Sequence, residues 1–205
     1  MRTLFVVVAF AAALLTACSF SRQPAMADSV VKIIVGAGHG SGVHIGDGYI
    51  ISASHVVGTA EKVELKTSSG GEAEAVVLWA NKAYDIALLR VSDRSGLGMS
   101  RLACTVPSVG DEVIAKGNPI NAEFITVWGR IADSVREAGP WKSVVITDIA
   151  TVPGQSGGGV FDTQGRLIGI TVGVMVAPVG FSASLVGVGY VVPGRVVCDL
   201  LARGA

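Results

Sequence analysis

Short runs rich in valine and isoleucine recur along the chain, with glycine, serine, asparagine and proline between them. In the first half they read VVKIIVG (30–36), GSGVHIG (40–46), GYIISAS (48–54), EKVELKT (61–67), EAEAVVLWA (72–80) and DIALLRV (85–91). Each has the length and the β-branched content of a strand. Gly46-Asp47-Gly48 and Ser68-Ser69-Gly70-Gly71 read as hairpin connections. The stretch Ser92 to Gly110 breaks the pattern and reads as a linker. The second half resumes with DEVIAKG (111–117), FITVWGRIADSV (124–135), WKSVVITDI (141–149), GGGVF (157–161), RLIGITVGVMV (166–176) and VGVGYVV (186–192). Two sets of strands around a connector predict an all-β fold of the barrel or sandwich kind. One helix is predicted at the C-terminus, with Pro193 at its first position and Gly204 just past its end. Val196, Val197, Leu200 and Leu201 give it an apolar stripe that should pack on the sheet.

The remainder of the composition narrows the class. Half of the 205 residues are hydrophobic and the formal net charge is zero. With no block of like charge, nucleic acid and an anionic membrane surface are not expected partners. The first residues, MRTLFVVVAFAAALLTAC, have one early arginine and an apolar run from Leu4 to Ala17. That run is short for a membrane span and reads as an export signal within residues 1–27. Two processing readings compete. Ala25-Met26-Ala27 fits an ordinary signal peptidase, whereas Leu15-Thr16-Ala17-Cys18 fits a lipoprotein signal, with Cys18 lipidated as the only membrane attachment. The lipoprotein reading is preferred. Cys104 and Cys198 then remain. In an exported chain they invite a disulfide, and two separate buried thiols are the alternative.

The candidate chemistry starts at PGQSGGGVF, Pro153 to Phe161. A serine in a glycine turn can be a nucleophile if a base takes its proton. The chain has three histidines, His39, His44 and His55, and all precede Ser156. Gly154-Gln155-Ser156-Gly157-Gly158 also satisfies the nucleophile elbow of α/β-hydrolases, but that fold needs a histidine after the serine and a helix after the turn. The subtilisin order needs an α/β scaffold that the pattern lacks. What remains is the order His, Asp, Ser on β-strands. His55 ends the apolar strand YIISAS, and Asp85 opens the apolar strand DIALLRV. Buried there, the carboxylate needs a partner, which His55 supplies. His39 and His44 read as solvent-facing, and no metal site is expected from the histidines.

GSGVHIGDGYIISASHVV, YDIALLRV, GNP, ITDIATVPGQSGGGVFDTQGRLIGI and GVGYVVP resemble the trypsin-fold serine proteases, and within them the HtrA/Deg-type protease domain. The resemblance covers nearly the whole chain after the leader. It implies two six-stranded antiparallel β-barrels, spanning 28–91 and 111–192, joined by the 92–110 linker and closed by a helix at 193–205. It implies that His55 is the base, Asp85 its orienting acid, Ser156 the nucleophile, and the N–H groups of Gly154 and Ser156 the oxyanion hole. It puts the base of the substrate pocket near Ala150, with walls from Thr171, Val172 and Gly173 and from Val188, Gly189 and Tyr190. None of these is charged, so uncharged P1 residues are expected, provided that Asp148 is satisfied by backbone N–H groups.

Two departures from the family pattern stand out. Gln155 replaces the aspartate that pairs with a freshly cut N-terminus in digestive relatives, so activation by such a salt bridge is not expected. The chain also ends soon after its last strand, so neither a PDZ domain nor family-type oligomer assembly is expected, and a monomer is. The resemblance implies an exported serine endopeptidase acting on peptides or proteins without a cofactor. The alternative is a silent protease fold that binds peptides as a scaffold in the cell envelope.

Overall fold

The computed structural model describes residues 29–179 and 182–204. The leader (1–27) and Cys18 lie outside the described residues. The first six strands are β1 (Val30–Val35), β2 (Gly38–Gly46), β3 (Tyr49–Ser52), β4 (Lys62–Lys66), β5 (Glu72–Asn81) and β6 (Ile86–Val91). They close into an antiparallel barrel in the order β1-β2-β3-β6-β5-β4, with β4 returning to β1. The second six are β7 (Glu112–Gly117), β8 (Ile125–Ala138), β9 (Trp141–Thr147), β10 (Gly159–Phe161), β11 (Leu167–Val179) and β12 (Ser182–Pro193). They close in the order β10-β11-β12-β9-β8-β7, with β7 returning to β10. Each strand overlaps a run expected from the sequence, but β8 and β11 extend three residues further and β12 begins four residues earlier, at Ser182.

Period-two alternation explains which runs are half polar and which are apolar throughout. On β4 only Val63 and Leu65 point inward, and the lysines and Glu64 between and beside them face out. On β6 both faces are buried. Ala87, Leu89 and Val91 fill the first barrel, while Ile86 and Leu88 point the other way. There they join Val30 and Ile51 from the first barrel and Phe161, Leu167, Ile170 and Val192 from the second. This shared core fastens the barrels together. Each such side chain contributes about 1.5–3 kcal/mol when it leaves water. Val113, Ile131, Val145, Val160 and Val191 fill the second barrel.

Two helices complete the fold among the described residues. The expected one, α2, runs Gly194–Arg203, with Val197 and Leu200 buried in the shared core. Pro193 is its N-cap rather than its first helical residue, and Gly204 ends it in the left-handed conformation at φ 66°. The other, α1, is a single turn, Ser54–Val57, that the strand pattern did not predict. His55 lies on this turn and not on the strand before it. Cys104 and Cys198 are joined by a disulfide, Cα to Cα 5.6 Å, which ties the inter-barrel connection to α2. Among the described residues, no helix is long and apolar enough to cross a membrane.

Candidate active site

The first barrel brings His55 and Asp85 together through two tight local structures. The α1 turn leaves β3 and projects His55, whose side chain is half exposed. Asp85 sits at the end of an Asx turn in which Asn81 Oδ1 accepts the N–H groups of Ala83 and Tyr84. It adopts φ 56°, an uncommon conformation for a residue with a side chain. In that geometry its carbonyl accepts the N–H of Ser54 at 3.1 Å and its carboxylate meets His55 twice. Oδ1 accepts the His55 backbone N–H at 2.9 Å, and Oδ2 accepts Nδ1–H at 2.7 Å. Asp85 is 7% exposed. Its charge is met by donors on both oxygens, which is what a buried carboxylate requires. The bond to Nδ1 leaves Nε2 of His55 as the free basic nitrogen.

The second barrel brings the glycine turn. Gln155 holds it from inside, donating its N–H to Val152 O at 3.2 Å and accepting the Val152 N–H on Oε1 at 2.8 Å. This buried amide stands where a charged residue would need an ionic partner. Gly154 and Gly157 have φ of 91° and 82°. A Cβ on Gly157 would collide with Ser41 O and Ser52 Oγ, and one on Gly154 would meet Asn118 O and the His39 ring. Only glycine, of the twenty residue types, tolerates that backbone conformation together with that lack of space.

Ser41 on β2 then fastens this turn to the first barrel. Its N–H donates to Ser156 O at 2.8 Å, and its hydroxyl donates to Gly154 O at 2.8 Å while accepting the Asn118 N–H at 2.9 Å. His55 and Ser156 line one cleft of about 640 Å³, together with His39, Pro153 and Gly154. No hydrogen bond joins Ser156 Oγ to His55. Such contacts commonly tighten only once substrate is bound.

His39 and His44 do not face solvent as expected. His44 is 4% exposed, donating Nδ1–H to Gly98 O at 2.6 Å and accepting the Gly48 N–H on Nε2 at 3.1 Å. It pins the β2–β3 hairpin to the inter-barrel connection. The alternation itself holds, with Val43 and Ile45 on one face and His44 on the other, but that second face is covered as well, so out of phase does not mean exposed. His39 is half buried, and its Nε2 lies 3.0 Å from Asn118 O.

Of the residues expected to form the substrate pocket, Ala150 is exposed, while Thr171, Val172 and Gly189 are buried. The neighbouring Thr151 is the one that turns inward, with Oγ1 at 2.5 Å from where a Cβ of Gly189 would stand. Val188 is half buried, and Gly173 pairs with Tyr190 across β11 and β12. Asp148 accepts the Arg130 N–H at 2.6 Å and lines a separate groove with Glu112 and Trp128.

Sequence reasoning assigned no role to Trp141, Ser41 or Asn118. Ser41 and Asn118 lie inside the quoted GSG and GNP motifs, which were the available signal. Trp141 offered none beyond being an aromatic residue at a strand start.

Known proteins similar to this chain give its family. A model of the trypsin-like peptidase domain matches residues 40–170. A probable periplasmic serine endoprotease DegP-like from Buchnera aphidicola subsp. Baizongia pistaciae is 33% identical over 168 residues, 78% of this chain and 35% of that protein. The periplasmic serine endoprotease DegP of Salmonella typhimurium is 30% identical over 173 residues, 80% of this chain and 35% of that protein. The chain thus spans about a third of the length of these curated relatives. The crystal structure of the serine endoprotease from Yersinia pestis superposes with a TM-score of 0.74 at 28% identity, covering 87% of this chain and 63% of that one. The matched segment takes in Ser41, His55, Asp85, Trp141 and Ser156 alike, and the chain belongs to the trypsin-like peptidase domain family.

Proposed function

We propose that the protein is an exported serine endopeptidase of the cell envelope, with His55, Asp85 and Ser156 as its triad. The observation that carries this reading is the 2.7 Å bond from His55 Nδ1 to a buried Asp85, with His55 and Ser156 on one cleft. Ser156 Oγ attacks the peptide carbonyl and gives its proton to His55 Nε2. Asp85 keeps the imidazole in the required tautomer and stabilises its positive charge. The Gly154 and Ser156 N–H groups receive the oxyanion, a charge that exists only beyond the ground state. Neither N–H donates to a backbone carbonyl among the described residues, which supports that role. His55 then protonates the leaving amine, and water hydrolyses the acyl-enzyme.

The export signal and the periplasmic relatives support an envelope location, with Cys18 the candidate lipid anchor. The substrate is a peptide or protein with an uncharged P1 residue. Asp148 supports this choice, because its carboxylate is held by Arg130 on another groove.

The test is intact-mass analysis after incubation with a fluorophosphonate, which bonds phosphorus to an activated serine oxygen and releases fluoride. One adduct on the wild type, absent from Ser156→Ala and His55→Ala, is expected. A folded wild type without an adduct would favour the peptide-binding scaffold.

A further inference from the structure

Asp85 has one more partner, and it comes from the opposite barrel. The indole Nε1–H of Trp141, at the start of β9, donates to Asp85 Oδ2 at 3.0 Å. This is the oxygen that also accepts from His55 Nδ1. Both lone pairs of Oδ2 are therefore in use, one by the imidazole and one by the indole.

The indole is held from several sides. Its ring packs against Tyr190 with centroids 5.2 Å apart. A Cβ on Gly173 would run into the same ring. Beside it, the Lys142 N–H donates to Ala83 O at 3.3 Å, tying the start of β9 to the turn that presents Asp85. The indole also lines an apolar cleft of about 490 Å³ with His55, Pro140 and Val172, to which Lys82 and Asp85 bring the charged groups.

We propose that Trp141 is a positioning residue: its indole N–H fixes the Asp85 carboxylate and shares its negative charge with His55. The proposal rests on the peptidase reading above. The physical case turns on neutrality. A buried carboxylate needs donors, but a lysine or arginine in this place would offset the charge that the imidazolium needs. A neutral N–H satisfies the oxygen and leaves the net charge for His55. Without it, Oδ2 would have His55 as its sole partner. The carboxylate would then favour the protonated imidazole more strongly, held by His55 alone through its backbone N–H and Nδ1.

Trp141→Phe keeps an aromatic face in the cleft and removes the donor. Fluorophosphonate inactivation is measured against pH and resolved into a limiting rate and a half-saturating concentration. The limiting rate is expected to fall about tenfold, as for loss of a hydrogen bond to a charged group. The half-saturating concentration is expected to change by less than about twofold, and the acid limb to move up by about half a pH unit. In an Asp85→Asn background the same substitution is expected to cost less than about twofold, because the charged acceptor is gone. Gly173→Ala, which pushes the indole off its seat with all its atoms present, is expected to move the acid limb in the same direction. An unmoved limb, or an equal loss in both backgrounds, on a wild type that reacts, would overturn the positioning role and leave the peptidase reading standing. A wild type that does not react at all would remove both.

Discussion

The two barrels share a strand count but not a shape. In the first, no strand exceeds the ten residues of β5, and the hairpins turn back where the barrel wall ends. In the second, β8, β11 and β12 have 14, 13 and 12 residues, and the β8–β9 and β11–β12 ladders are broken by register shifts. Register shifts bend a ladder locally, and the first barrel has them as well, between His44 and Gly46 and between Val77 and Trp79, so strand length is the difference. The first barrel offers its chemistry on compact local turns, and the second on the glycine turn and at the start of β9, beside its longest strand.

The holding is reciprocal. Ser41 of the first barrel ties down the turn bearing Ser156, and Trp141 of the second ties down Asp85. A site divided in this way depends on how the barrels dock as much as on either barrel alone.

Substitutions in the proposed triad should break the comparison most severely. Ser156→Ala in the second barrel is expected to lower turnover of a peptide substrate about a millionfold. Asp85→Asn in the first is expected to cost about ten thousandfold, since orientation rather than the nucleophile is lost. Steady-state kinetics on a substrate from a peptide library separates the two. A loss of equal size would mean that the acid does more than orient the base.

Removing the disulfide should act on the fold and leave the chemistry alone. Cys104 and Cys198 are 94 residues apart in sequence, and the loop they close is long. Replacing both with serine is expected to cost about 2–5 kcal/mol of stability, read by denaturant unfolding, with little change in kcat. Ser41→Ala should sharpen the comparison, because it cuts a tie between barrels without touching either core. Gly154 O and the Asn118 N–H lose their partner, at about 1–3 kcal/mol for the buried Asn118 N–H and less for the half-buried Gly154 O. Labelling of Ser156 by the fluorophosphonate is expected to slow about tenfold, with the unfolding transition still cooperative.

The smallest effect belongs to a third tie. Glu123, between β7 and β8, reaches Lys66 of β4 at 2.7 Å and Lys32 of β1 at 3.0 Å. The Lys66 and then the Lys32 hydrogen bond hold its carboxyl below the usual glutamate range. A depressed carboxyl stabilises the fold above its unfolded pKa, and the stabilisation fades as pH falls through the folded one. Glu123→Gln should therefore lower the melting temperature slightly at neutral pH, as expected of a part-exposed ion pair, and not at all in strong acid. A gap that persists in acid would assign the effect to something other than charge.

The strands were legible because a strand's pattern is local. The alternation in KVELK and the unbroken apolar run in IALL each state how many of their faces are buried. The order of His55, Asp85 and Ser156 was legible for a related reason. Elimination by chain order, together with the letters around each residue, needed no distances. The α1 turn was missed because four residues are too few to show a helical period. His44 was misread because the face opposite Val43 and Ile45 is also buried, closed over by Gly98 of the inter-barrel connection, and nothing in GVHIG announces that distant cover.

The sequence by itself determined the twelve strands, the closing helix and the identity of the candidate triad, since those rest on neighbouring residues and on order along the chain. Only the tertiary structure decided what holds that triad still. Ser41 and Gly154 are 113 residues apart, and Asp85 and Trp141 are 56 apart. Their bonds exist because two closed barrels bury a common core and so bring one barrel's donors within reach of the other's acceptors, a consequence of packing that no local pattern encodes.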